Sequence, residues 1–212
     1  MPFFQDNERI FMLKITTIDN LKYYFNWIIL YCRQKEIIKM KQKQLQRLAV
    51  SALLTAIVCV ATFIVKIPSP ATNGYFNLGD CFVLLSGWIL GPVYGALAAG
   101  LGSALADILS GYVQYAPATF IIKALMAVAA YFVIKSTAKR PLIGKILGGI
   151  AAEAIMVLGY FGYEAVILGY GIAAAGSIFS NVLQGLVGII AGIAVTTAIE
   201  KNKTLNSFFK KR

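Results

Sequence analysis

The sequence has no histidine, and only nine of its 212 residues are Asp or Glu. Without imidazole, His-based acid/base catalysis and the common His-containing zinc sites are excluded. Its three cysteines, Cys32, Cys59 and Cys81, match neither a disulfide framework nor metal-ligand spacing. Two of them sit in apolar runs, where a thiol serves as a small buried hydrophobe. Charge of either sign is scarce, at 14% of residues against 58% hydrophobic, and mean hydropathy is +0.72. No soluble domain of this size is so apolar. The chain is read as an integral membrane protein.

The charge that is present is basic, with a net value of +11. Most Lys and Arg lie in the first 47 residues, between Lys135 and Lys145, and after Glu200. A nucleic-acid-binding face would need these residues clustered on a soluble fold. Confined to connections and ends, they fit cytoplasmic loops instead.

A spanning helix needs ~20 mostly apolar residues. Six stretches meet that measure: about 48–66, 80–94, 93–110, 117–135, 144–169 and 176–199. Read as one helix, 80–110 would run ~31 residues, long for a bilayer even with tilt. Gly91-Pro92 is a turn signal that splits it. Lys39, Lys41, Lys43 and Arg47 precede span one; Lys135, Lys139, Arg140 and Lys145 surround the connection between spans four and five; Lys201, Lys203, Lys210, Lys211 and Arg212 follow span six. The remaining connections carry only Lys66 as a flanking cation. The expected fold is therefore an all-α integral membrane protein with six transmembrane helices and both termini cytoplasmic.

Residues 1–39 form an N-terminal extension of different character, followed by a six-helix domain over 40–212. Within the extension "LKYYFNWIILYC" (21–32) is too short to span and is aromatic and flanked by basic residues, as in segments that lie on a membrane surface. "MKQKQLQRLAVSALLTA" from Met40 reads as a complete membrane-protein start. Two readings are open: an interfacial extension, or translation that begins at Met40.

Charged groups inside a span are costly and usually face a cavity or a partner. Asp80 opens span two, Asp107 lies about one turn from the outer end of span three, and Lys123 is ~10 Å into span four. Glu164 is in the outer quarter of span five, Asn181 and Gln184 are one to two turns into span six, and only Glu153 falls near mid-membrane. Polar groups thus gather in the outer half, whereas a channel would carry them through the full depth. Glu153 and Glu164, with Tyr160 between them, share one face of span five, as Asn181 and Gln184 do on span six. Tyr75, Phe76, Tyr112, Tyr115, Tyr163 and Tyr170 sit at or beside the outer connections. Amides, carboxylates, one ammonium and stacking rings describe a site for a small polar heterocycle.

Structural readings stand beside this one. Tyrosines at span ends form interfacial belts, Asp80 fits a cap on span two, and Asp107 with Lys123 fits an ion pair between neighbouring spans. A membrane-embedded enzyme would use Glu153 and Glu164, but they are ~16 Å apart along a helix, too far to act on one bond. A purely structural membrane protein is the remaining alternative. Small-xxx-small patterns, including Ala49, Ala52 and Ala56 on span one and Gly188 and Gly192 on span six, allow close helix packing. Those on span one adjoin the basic lead, where a membrane partner could dock.

The short basic lead, the alanine-rich first span, "YFNLGD", "GPVYGALAAGLGSALADILSGY" and "APATFIIKALMA" resemble the S components of energy-coupling factor (ECF) vitamin transporters. The resemblance covers about residues 40–200 and is most specific over 75–126. It is nearest to the subset for hydroxymethylpyrimidine, pyridoxine or related precursors. It implies a six-helix protein that binds its vitamin from outside, in a pocket between the outer halves of the helices and the outer loops; the candidate substrate-binding residues on this chain are Asn77, Asp107, Tyr112, Tyr115, Lys123, Glu153, Tyr160, Glu164, Asn181 and Gln184. It also implies association with a transmembrane scaffold subunit, met through Ala49, Ala52 and Ala56, and with two ATP-hydrolysing subunits, followed by toppling in the membrane. No Gly-rich phosphate loop stands in the sequence, so no cofactor is expected on this chain and ATP is expected to be used by the partners.

Overall fold

Pro92 decides where the long apolar run breaks. Proline lacks the N–H an α-helix needs and steers the preceding residue away from helical dihedrals. Gly91 accordingly adopts φ +82°, a left-handed value that costs glycine nothing. In the computed structural model, which describes residues 3–64, 66–68 and 75–203 and the side chains of 30–31, 33–64 and 77–203, α2 (Asp80–Leu90) ends here and α3 (Pro92–Leu109) begins.

The other helices are α1 (Phe3–Ile64), α4 (Ala116–Ser136), α5 (Pro141–Gly162) and α6 (Gly176–Lys201). A π turn (Tyr163–Ile167) extends α5, and a 3-10 turn (Gly171–Ala175) leads into α6. Among the described residues, five stretches are long and apolar enough to cross a membrane: Arg33–Ile64, Pro92–Leu109, Ala116–Ser136, Pro141–Ile167 and Gly171–Lys201. The expected second span is shorter than anticipated. With 11 residues α2 reaches ~16 Å, about half of a ~30 Å hydrocarbon layer.

Among the described residues, the expectation of an all-helical chain has one exception. β1 (Lys66–Pro68) and β2 (Tyr75–Asn77) form an antiparallel ribbon that pairs Lys66 with Asn77, Ile67 with Phe76 and Pro68 with Tyr75. Backbone carbonyls and amides of the two paired segments find partners across the ribbon.

The chain divides into two units, residues 1–46 and 47–212. The described part of the first is helical, and its described side chains, among them Leu30, Ile38, Met40 and Leu45, are exposed. In the second unit α2 packs on α3, α4 and α6, while α4 lies between α3 and α5. The core is Val58, Val83, Leu84, Ala99, Met126, Ala127, Ala152 and Met156, all buried.

Small residues let these helices meet backbone to backbone. A Cβ on Gly102 would lie 2.6 Å from the Thr55 carbonyl oxygen, so α1 and α3 touch there. α3 buries Gly95, Ala98, Ala99, Gly102, Ser103 and Ala106 and exposes Leu97, Leu101, Leu105 and Ile108. Apolar side chains face outward and small or polar ones inward, as lipid surroundings require. The small residues of α3 and α6 are thus used up in packing within the bundle, whereas Ala49, Ala52 and Ala56 on α1 are exposed. Cys81 is buried and Cys59 half-buried, both as free thiols.

Candidate functional site

The end of α1, the starts of α2, α4 and α6 and the ends of α3 and α5 meet at one end of this unit. Lys135, Lys139, Arg140, Lys145, Lys201 and Lys203 belong to the opposite ends of α4, α5 and α6, where Lys145 pairs with Glu200 at 2.9 Å. At the first end the polar side chains that a lipid phase rejects turn inward around a cavity. Its empty space, counted out to the open mouth, is about 500 Å³.

The floor is built around Lys123, about two turns into α4. Its side chain is 2% exposed and donates to Asp80 Oδ1 and, at 3.3 Å, to Met156 Sδ. Gln184 of α6 donates through Nε2 to Asp80 Oδ2 and to Met156 Sδ at 3.2 Å, and its Oε1 accepts the Asn77 N–H at 2.6 Å. Asn77 Oδ1 in turn accepts the Gly79 N–H at 2.8 Å, which closes the loop onto the start of α2. One network therefore ties β2, α2, α4, α5 and α6 together, and every buried charge in it has a partner.

Asp80 is thus no helix cap. The N-cap position falls to Gly79 with no side-chain bond, and both Asp80 oxygens are used on Lys123 and Gln184. The ion pair seen at Lys123 is with Asp80, whereas the sequence pointed to Asp107. Asp107, one turn above Ser103 on α3, lines the cavity directly.

The walls carry rings, hydroxyls and one further carboxylate. Lys123 Nζ lies 5.6 Å from the Tyr160 ring centroid, a cation–π distance, and Tyr160 donates to Thr119 Oγ1 at 3.0 Å. Glu164, 3% exposed, accepts at Oε1 from the Tyr115 hydroxyl at 3.1 Å and at Oε2 from the Ser177 hydroxyl. The Tyr115 ring packs on Tyr163 at 5.8 Å between centroids. Asn181 completes the α6 wall.

Of the residues picked from sequence, Asn77, Asp107, Tyr115, Lys123, Tyr160, Glu164, Asn181 and Gln184 line this cavity. Tyr112 and Glu153 do not. Tyr112 is half-buried and meets Tyr115 edge-on at 6.4 Å. Glu153 lies one turn deeper than Met156, against the glycines of α6: a Cβ on Gly188 would sit 3.2 Å from Glu153 Oε1 and 2.9 Å from Asp80 Cβ. Its carboxyl oxygens have no hydrogen-bond partner among the described residues. Glu153 and Glu164 both turn toward α6, Glu153 against Gly185 and Gly188 and Glu164 onto Ser177, but at different depths, and only Glu164 reaches the cavity. Tyr75 and Phe76 lie outside the described side chains.

Sequence reasoning passed over Thr62, Ser103, Thr119, Ser177, Ser180 and Met156. Serine and threonine sit in apolar helices at little cost because they can bond a backbone carbonyl one turn back, so singly they give no signal. The stripe Ser177, Ser180, Asn181, Gln184 at helical spacing was the available clue.

A family model described as "ECF-type riboflavin transporter, S component" matches residues 42–201. The chain belongs to the ECF-type transporter S component family. This S component is 41% identical over 137 residues to a Pyrococcus woesei protein described as an uncharacterized protein in the gap 3' region, covering 64% of the present chain and 88% of that one. It is 26% identical over 176 residues to the thiamine precursor transporter HmpT of Lactococcus lactis subsp. cremoris, covering 81% of this chain and 98% of HmpT. The solved S component of a bacterial ECF transporter superposes with a TM-score of 0.61 at 26% identity, covering 74% of this chain and 97% of that one. It is a membrane transport component, the substrate-binding subunit of a vitamin transporter, and not an enzyme.

Proposed function

We propose that this S component captures a small vitamin precursor of the hydroxymethylpyrimidine or pyridoxine class from outside the cell and delivers it inward as part of an ECF complex. The observation that carries the reading is the cavity at one end of the bundle, floored by the Lys123–Asp80–Gln184 network and walled by Tyr115, Tyr160, Glu164 and Asn181. Rings on two sides and hydrogen-bonding groups between them suit a planar heterocycle with polar substituents. The kinship with a thiamine precursor transporter supports the same class.

Six helices cross or enter the plasma membrane in this reading, with α2 as the short one and both termini cytoplasmic. The basic ends then face the cytoplasm and the cavity faces out. A transmembrane scaffold subunit docks on Ala49, Ala52 and Ala56, whose exposed small side chains permit close helix approach. Two ATPase subunits supply hydrolysis.

Equilibrium binding to the purified protein tests the substrate class. Hydroxymethylpyrimidine or pyridoxine should bind and riboflavin should not; binding of riboflavin alone overturns the assignment. A cysteine placed at Gln114 should react with an impermeant thiol reagent on intact cells, and one placed after Glu200 should not. The opposite pattern turns the cavity inward and removes import.

A further inference from the structure

The charges around the cavity are committed unequally. Among the described residues Lys123 is the only Lys or Arg that lines it. Its ammonium is held by Asp80 and touches the Met156 thioether, with the Tyr160 ring alongside. The ammonium has three N–H donors, so one remains for a ligand after Asp80 and Met156, but its charge is already balanced by a fully buried carboxylate whose other partner is Gln184. Stripping a buried charge of its counter-ion is strongly unfavourable. Lys123 therefore supports the floor and can offer a hydrogen bond, but it brings no unbalanced positive charge to a phosphate or carboxylate.

Glu164 is in the opposite situation. Both hydrogen bonds it accepts come from neutral hydroxyls, Tyr115 on one oxygen and Ser177 on the other, and no ion pair involves it among the described residues. A carboxylate oxygen accepts along two lone-pair directions, so each oxygen retains capacity for one more donor. The two hydroxyls also fix the carboxylate's orientation. Two fixed acceptors side by side match two parallel N–H donors, the arrangement of bidentate carboxylate pairs.

We propose that Glu164 selects ligands by an amidine-type edge, a ring nitrogen beside an exocyclic amine, and that the cavity refuses the phosphate esters of the same compounds. The inference rests on the reading of this cavity as the precursor site and adds the chemistry of selection. A ligand protonated on the ring nitrogen presents two N–H donors and a positive charge to Glu164. The neutral 4-oxo analogue presents an acceptor where the amine donor should be and leaves part of the buried carboxylate unsatisfied, which is how such sites discriminate. A phosphate ester brings a further anion into a cavity already lined by Asp107 and Glu164, whose one described cation is already paired.

The test uses the full-length purified protein and three probes: 4-amino-5-hydroxymethyl-2-methylpyrimidine, its 4-oxo analogue and its phosphate ester, each titrated against wild type and Glu164→Gln. In wild type the amine should bind roughly 30-fold more tightly than the oxo compound, the scale of one charge-assisted hydrogen bond, and the ester should not compete. Glu164→Gln should weaken the amine by a similar factor while leaving the oxo compound within about 3-fold. The wild-type comparison requires no variant to fold. Equal binding of amine and oxo compounds, an amine preference unchanged in Glu164→Gln, or an ester that binds as well as the alcohol overturns selection by Glu164 while the precursor reading stands. If none of the three pyrimidines binds and pyridoxine does, selection falls and the wider vitamin reading survives; if riboflavin alone binds, both fall.

Discussion

Lys123 and Asp80, 43 residues apart in sequence, form an ion pair whose side chains are 2% and 1% exposed. The pair joins the start of α2 to the third turn of α4, and Gln184 brings in α6. Ligand-facing walls rise from the same helices, so the pair sets the geometry of the cavity as well as closing it.

Breaking the pair from one side should therefore be worse than removing it. Asp80→Asn or Lys123→Met alone should lower stability by about 3–5 kcal/mol, because each strands a buried polar group. The double variant should lose clearly less than the two single losses combined. Unfolding in detergent, read as a double-mutant cycle, checks this; additive losses would mean that the two groups do not interact.

Asp107 lines the cavity from α3. Asp107→Ala should weaken ligand binding by about 10-fold or more, the scale of a lost hydrogen bond to a charged group, and leave membrane insertion intact. Titration of the purified variant reads the first, and its yield in the membrane fraction the second. Unchanged affinity would remove Asp107 from the site.

Gly188 is the point where α6 passes Asp80 and Glu153. A Cβ there would meet Asp80 Cβ at 2.9 Å, closer than side chains pack. Gly188→Ala should push α6 from α2 and cost about 1–3 kcal/mol, the usual penalty of overpacking. A thermal melt indistinguishable from wild type would show that the helices separate freely.

Ala52 and Ala56 are exposed on α1, away from the cavity lining. Replacing both with Leu should abolish uptake in cells and leave ligand affinity of the purified chain within about 2-fold, since surface changes far from a site are near-neutral. Preserved uptake would refute the docking face.

How far these features were legible in the sequence depends on the dimension in question. Position along a helix is legible, because 1.5 Å per residue converts sequence into depth; Asp107, Lys123, Glu164, Asn181 and Gln184 could be assigned to one end on that basis, and they share one cavity. The break at Gly91-Pro92 follows from local backbone chemistry. Rotation around the helix axis and the choice of neighbour are not local properties. Lys123 could be placed at a depth, but its pairing with Asp80 depends on α2 packing against α4. For Glu164, the hydroxyls that hold it come from α4's N-terminal flank and α6, partners that spacing along α5 does not reveal. Ser103 and Thr119 stayed invisible because a single hydroxyl among apolar residues gives no periodic signal.

The most direct test of the account is mass spectrometry of small molecules released from the protein purified from cells supplied with a mixture of vitamins and precursors. A single-ring pyrimidine or pyridine precursor, recovered in near-stoichiometric amount from wild type and depleted from Asp107→Ala, is the result the account predicts. Riboflavin as the released compound, or lipid alone from both proteins, would contradict it.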